Sequence, residues 1–170
     1  ELSLEELIAG RASDPIEVAE RAISFGWDLT RRRAVLLASI DPPTDPETLP
    51  RALPVIAAAA RATLGSDAIV WTRATSVAAL VAPSSEDLVE RRHLAEVLRA
   101  ELDRTVQSVT ISVGVGRCTT DPLLLPRSYL EASRAVDVGR WVKGRHATEV
   151  YDDLGLERLL ASASADDLVE

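Results

Sequence analysis

The chain alternates short apolar runs with breaks rich in Pro, Gly and Asp. In residues 2–10, Leu4, Leu7 and Ile8 fall on one side at helical spacing, and Gly10 is placed to end the helix. Asp14 can cap a second helix that Pro15 opens, with Ile16, Ala19, Ala22 and Ile23 on a shared face and Gly26 at its end. Ala34 to Ile40 is a continuous apolar run, as expected of a strand buried on both faces, and Asp41-Pro42-Pro43-Thr44-Asp45-Pro46 breaks it. A helix then runs to Leu64, with Leu53, Ile56, Ala57, Ala60 and Leu64 along one side and Gly65 to terminate it.

Ala68–Thr72 and Val77–Val81 are β-rich runs separated by Arg73 to Ser76, a spacing that predicts a hairpin. Pro83-Ser84-Ser85-Glu86-Asp87 ends the second strand and caps a long helix carrying Leu88, Ala95, Leu98 and Leu102. Val109, Ile111, Val113 and Val115 alternate strictly with Thr110, Ser112, Gly114 and Gly116, the clearest strand in the chain. A loop through Pro122 and Pro126 leads into a helix on which Tyr129, Ala132, Val136 and Gly139 share a face, the glycine allowing close packing. Lys143-Gly144-Arg145 ends it, Glu149 to Tyr151 reads as a last strand, and Leu154 to Leu160 as the start of another helix.

The order is αα, then β-α-β-β-α-β-α-β, then α. Its centre is the split βαβ, or ferredoxin-like, pattern of an α+β fold, an antiparallel sheet with helices on one face, and the added α-β supplies a fifth strand. The expected division is a helical lead-in at 1–33, an α/β sandwich at 34–153, and the start of a helical connector at 154–170.

Composition narrows the function. The 170 residues are 46% hydrophobic and 27% charged, too apolar for a disordered chain. No run reaches the roughly 18 apolar residues of a membrane span, so no membrane partner is expected. The net charge of −8 argues against a nucleic-acid grip by this segment. Arg31-Arg32-Arg33, the one basic run, is expected to be a solvated junction before a strand. A single cysteine, Cys118, excludes an internal disulfide and fits a reduced, cytoplasmic setting. The sequence contains no Met, which suggests a piece of a longer protein.

Candidate chemistry is sparse. Gly114-Val115-Gly116 lacks the third glycine and the Lys-Ser/Thr of a phosphate loop, and reads as a strand packed closely under a helix. His93 and His146 have no partner at ligand spacing, and Cys118 reads as a buried or loop thiol. Asp121, Asp152 and Asp153 are expected as helix caps, and Glu131 as a surface partner of Arg134. Trp71 and Trp141 are expected in the core; if solvent-facing they would mark a contact surface.

Five segments in order carry a resemblance: Glu6-Leu7-Ile8-Ala9-Gly10, Ala22–Leu29, Ile111–Arg117, Ser128–Ala132 and Tyr151–Leu156. Together with the element order they resemble the GGDEF-like domain of the CdaR/PucR family of bacterial transcriptional regulators, a degenerate relative of diguanylate cyclase GGDEF domains. Cyclase chemistry needs carboxylates for Mg²⁺ and a slim glycine turn for phosphate. The resemblance places the signature turn on Arg73-Ala74-Thr75-Ser76-Val77: Arg73 and Ala74 stand for the two glycines, Thr75 and Ser76 for the two acids. The first-strand acid falls on Ser39, while Asp41 survives two residues on. The inhibitory Arg-x-x-Asp motif would fall near Gly65 to Ala68, where no Arg stands.

This implies a non-catalytic domain with no cofactor, no metal and no catalytic residue. The expectation is a regulatory, sensory or dimerisation module of a transcriptional regulator. It would self-associate, take a small-molecule effector, and meet DNA only through a C-terminal helix-turn-helix domain outside this sequence. The alternative is a residual nucleotide or cyclic-dinucleotide site, or a diguanylate cyclase-like enzyme, on the same scaffold.

Overall fold

A computed structural model describes residues 2–11 and 14–155. Helices α1 (Leu2–Ile8) and α2 (Pro15–Ser24) come first. Then follow β1 (Ala34–Ile40), α3 (Leu49–Leu64), β2 (Ile69–Arg73), β3 (Ser76–Val81) and α4 (Leu88–Thr105). β4 (Ile111–Val115), a 3-10 turn at Pro122–Leu124, α5 (Leu125–Lys143), β5 (Thr148–Val150) and a second 3-10 turn at Tyr151–Asp153 complete the order. The helix expected from Leu154 to Leu160 falls almost wholly outside the described residues.

The five strands form one sheet in the order β2-β3-β1-β4-β5. The first four are antiparallel neighbours, and β5 runs parallel to β4 because α5 crosses between them. Helices cover both faces of the sheet, not the one expected. Leu36, Ile40, Val77, Ile111 and Val113 meet Ile56 of α3 and Leu98 and Leu102 of α4 on one side. On the other, Val35, Leu37, Ala78 and Leu80 meet Leu4 and Leu7 of α1 and Ala132 and Val136 of α5. The cause lies in β1 and β3: every residue of both strands is buried, so neither face can be left to water.

Local signals act as the physics requires. Asp14 Oδ1 accepts the Ile16 amide at 2.9 Å and Asp87 Oδ1 the Val89 amide at 3.0 Å, capping α2 and α4. Gly65 and Gly144 end α3 and α5 at φ +84° and +83°, where a side chain is disfavoured. Two strand glycines serve close approach. A Cβ at Gly114 would stand 2.3 Å from the Ala132 carbonyl oxygen, and one at Gly116 would stand 2.1 Å from that of Ser128. β4 therefore lies directly under α5, as the paired glycines suggested.

Two expectations need correction. In α2 only Ala22 is buried; Ile16 and Ile23 are 68% and 62% exposed, because this short peripheral helix packs along a stripe one residue wide. Arg33 is buried rather than solvated, donating to the carbonyls of Asp28, Asp67 and Leu80. At the β2 edge of the sheet, Arg61 of α3 reaches the Val70 carbonyl at 3.5 Å. Among the described residues no helix is long and apolar enough to cross a membrane.

Candidate functional site

The β2–β3 hairpin turns on Ala74 and Thr75, with Ala74 at φ +51°, a left-handed conformation that costs an L-residue about 1 kcal/mol. Arg73 closes β2 and points away from the turn's mouth. Its guanidinium lies 5.0 Å from the Tyr129 ring centre and 3.5 Å from the Glu5 carboxylate. Thr75 is exposed, and its backbone carbonyl accepts the Ile40 amide at 3.1 Å. Ser76 opens β3 and is buried.

Register then brings three serines into a row. Ser39 of β1 pairs with Ser76 of β3 on one side and with Ser112 of β4 on the other. All three side chains share the face covered by α5. Ser76 Oγ donates to Ser39 Oγ at 3.0 Å. Arg140, in the last turn of α5, reaches down onto this row. Its Nη2 donates to Ser39 Oγ at 3.1 Å, to the Ser39 carbonyl at 3.3 Å and to the Ile40 carbonyl at 2.9 Å. Its Nε donates to Asp41 Oδ1 at 2.6 Å.

Asp41 is wholly buried and fully engaged. Ser112 Oγ also donates to its Oδ1 at 2.6 Å, and the His146 amide donates to Oδ2 at 2.8 Å. Burial works to raise the carboxyl pKa, but the bonds from Ser112, Arg140 and His146 together outweigh it and hold the group below its ordinary range. Ser112 Oγ accepts the Ala147 amide at 3.0 Å, and Arg99 donates to the His146 carbonyl at 2.7 Å. The α5–β5 loop, with His146 at φ +65°, is thus fastened to the ends of β1 and β4.

A second polar cluster sits near the other end of β4. Arg91 of α4 is 2% exposed and grips Asp152 with two bonds, while also donating to the Gly116 carbonyl at 3.1 Å. The bond from Arg91 lowers the Asp152 pKa. Asp152 is the ion-pair partner of Arg91 and Asp153 pairs with Arg92; the helix they were expected to cap lies outside the described residues. Glu131 is also not a surface residue. It is buried and accepts both the side chain and the amide of Arg117, leaving Arg134 exposed. Asp121 does cap, taking the Leu123 amide at 3.0 Å.

The structure places Arg73, Ala74, Thr75 and Ser76 at one hairpin but brings only Ser76 into the polar network. Sequence reading missed Arg140, Ser112 and His146. The signal available was weak: a polar Ser112 in an apolar strand, and an arginine one turn before the helix-ending Gly144. Trp71 is in the core as expected, whereas Trp141 is 55% exposed. His93 is exposed, His146 pairs with Asp103 at 3.1 Å, and Cys118 is half-buried, its thiol pKa raised by burial. Among the described residues no group of three or more His, Cys, Asp or Glu is arranged to hold a metal.

These residues do not fit a Mg²⁺-nucleotide site. A magnesium ion needs anionic oxygens. Here the three positions carry hydroxyls, Ser39 and Ser76 bonded to each other and Thr75 exposed, and the Asp41 carboxylate has both oxygens engaged by protein donors. The guanidinium of Arg140 already supplies positive charge at the same place.

Comparison agrees with this fold. A family model described as a GGDEF-like domain matches residues 9–138, and the chain belongs to that family. No curated protein matches in sequence. Among solved structures, an EAL/GGDEF domain protein from M. capsulatus has 14% identity and a TM-score of 0.55, covering 71% of this chain and 85% of its own. The GGDEF domain of YfiN from Pseudomonas aeruginosa has 16% identity and a TM-score of 0.55, covering 86% and 91%. The active GGEEF domain of a diguanylate cyclase from Vibrio cholerae has 14% identity and a TM-score of 0.55, covering 78% and 88%. At such identities the likeness is one of fold.

Proposed function

We propose that this GGDEF-like domain is a non-catalytic regulatory module of a CdaR/PucR-type transcriptional regulator. The observation that carries the reading is the Ser39–Ser76 hydroxyl pair under Arg140, at two of the three positions, with Thr75, where the resemblance would put acids. Hydroxyls beside a fixed guanidinium attract neither Mg²⁺ nor the cation-bridged triphosphate that Mg²⁺ would carry. The domain then acts through contacts: a partner or small effector that favours one arrangement shifts the attached domains by its differential affinity. The acidic balance of −8 supports leaving DNA contact to a separate domain.

Calorimetry of the chain with GTP and Mg²⁺, with chromatography of the nucleotide products, tests the non-catalytic half. The expected result is no heat of binding at micromolar nucleotide and intact GTP. Micromolar binding, or a cyclic dinucleotide product, overturns it. Reading the coding sequence beyond Glu170 tests the regulator half, where a basic helix-turn-helix is expected and an unrelated enzyme domain counts against it.

A further inference from the structure

Helix α5 is nineteen residues long and turns one face to the sheet. Its outer face carries a regular stripe of Leu130, Arg134, Asp137 and Trp141, spaced four, three and four residues apart. That is the a/d spacing of a helix-pairing seam. Leu130 is 49% exposed and Trp141 55% exposed, with Val142 beside it also uncovered. Arg134 and Asp137 make no ion pair or side-chain hydrogen bond among the described residues.

The stripe reads the same in spacing from either end, and its chemistry is complementary under reversal. Two copies of α5 laid antiparallel about a twofold axis beside the Ala135–Val136 step would match each residue with a different one. Leu130 would face Trp141 of the second copy, and Arg134 would face Asp137 of the second copy, each contact occurring twice. In parallel register the same stripe would set Arg134 against Arg134 and Asp137 against Asp137. We propose that α5 is a self-association surface, and that its occupant is a second copy of this chain in antiparallel register. The apolar ends supply the burial and the central charge pairs choose the register. This proposal does not depend on the regulatory reading above: a catalytic domain could pair by the same face. A contact three turns long lies at the small end of specific interfaces, at roughly 1,200 Å² or below, so a micromolar dimer is expected.

Sedimentation velocity on the whole chain between about 5 and about 500 µM tests it. The wild type should pass from monomer to dimer, and Trp141→Ala should move the transition at least about tenfold upward. Arg134→Asp sets carboxylates opposite carboxylates, and Asp137→Arg sets guanidinia opposite guanidinia, so each variant alone should stay monomeric. An equimolar mixture of those two variants should pair at least as well as the wild type, because an all-acidic stripe then faces an all-basic one. All sites are exposed, so unchanged circular dichroism should accompany each variant. A wild type monomeric throughout overturns the proposal, as it would if residues of the same chain or a different protein covered this face. Dimers indifferent to the single variants, or a mixture that fails to pair, overturn it equally.

Discussion

Arg91 and Asp152 meet in a paired bond, Nη1 to Oδ1 at 2.8 Å and Nη2 to Oδ2 at 2.9 Å, although 61 residues separate them in sequence. The pair ties α4 to the turn that follows β5. Because Arg91 is nearly without solvent, removing its partner leaves a charge that water cannot reach. Asp152→Asn should therefore lower unfolding free energy by about 3 kcal/mol in urea titrations. Asp153→Asn, which affects only a half-exposed pair with Arg92, should change it by less than about 1 kcal/mol. Equal effects would remove the distinction between the two aspartates.

Asp41 and Arg140 predict a pH dependence. Asp41 and Asp152 both titrate below their ordinary values when folded. Such groups stabilise the fold above the unfolded carboxyl pKa of about 3.9, and that contribution is lost as pH falls through it toward the lowered folded values. The urea midpoint should be flat near neutrality and drop below about pH 4. Asp41→Asn should cost about 3 kcal/mol at pH 7 and flatten the acid limb, since the variant has one less depressed carboxyl to protonate. An unchanged limb would show that Asp41 does not carry the effect.

The glycines of β4 make a steric prediction. Gly114→Ala and Gly116→Ala each drive a methyl group into the backbone of α5 and should cost about 2–3 kcal/mol. Gly139→Ala meets the Glu149 Cγ at 2.8 Å, which can move aside, and the Ala147 Cβ at 3.1 Å, which must yield by a few tenths of an ångström; it also gains helix propensity, so its cost should stay below that of the other two, at about 1 kcal/mol. Thermal melts of the three variants check the ranking.

Cys118 offers a chemical probe. Burial raises its thiol pKa and thins the reactive thiolate. Ellman's reagent at pH 8 should react at least about tenfold more slowly with the folded chain than with the chain in urea. Equal rates would mean the thiol is freely reached.

Much of the scaffold was legible because each element carried its own punctuation. Asp14-Pro15, Asp87, Gly65 and Gly144 mark helix ends by cap chemistry that acts over one turn, and the observed ends follow them. The fully buried β1 was readable as an unbroken apolar run. What could not be read depends on partners distant in sequence. Glu131 looks like any helical surface glutamate until Arg117 is brought against it, and Arg33 looks like part of a solvated basic run until Asp28 and Asp67 close over it. Arg140 lies 101 residues from Ser39, so no local spacing announces their bond. α2 misled for the opposite reason: its apolar face is genuine, but most of it has nothing to pack on.

The guanidinium that Arg61 holds over the Val70 carbonyl bears on how molecules of this protein crowd together. Along the outer rim of β2, peptide groups would otherwise form a ledge on which a foreign strand could seat itself. A hydrated cation parked there makes that seat costly to occupy. A strand seating itself there would have to displace this cation, so growth by strand upon strand, the route to fibres, is costlier at this rim.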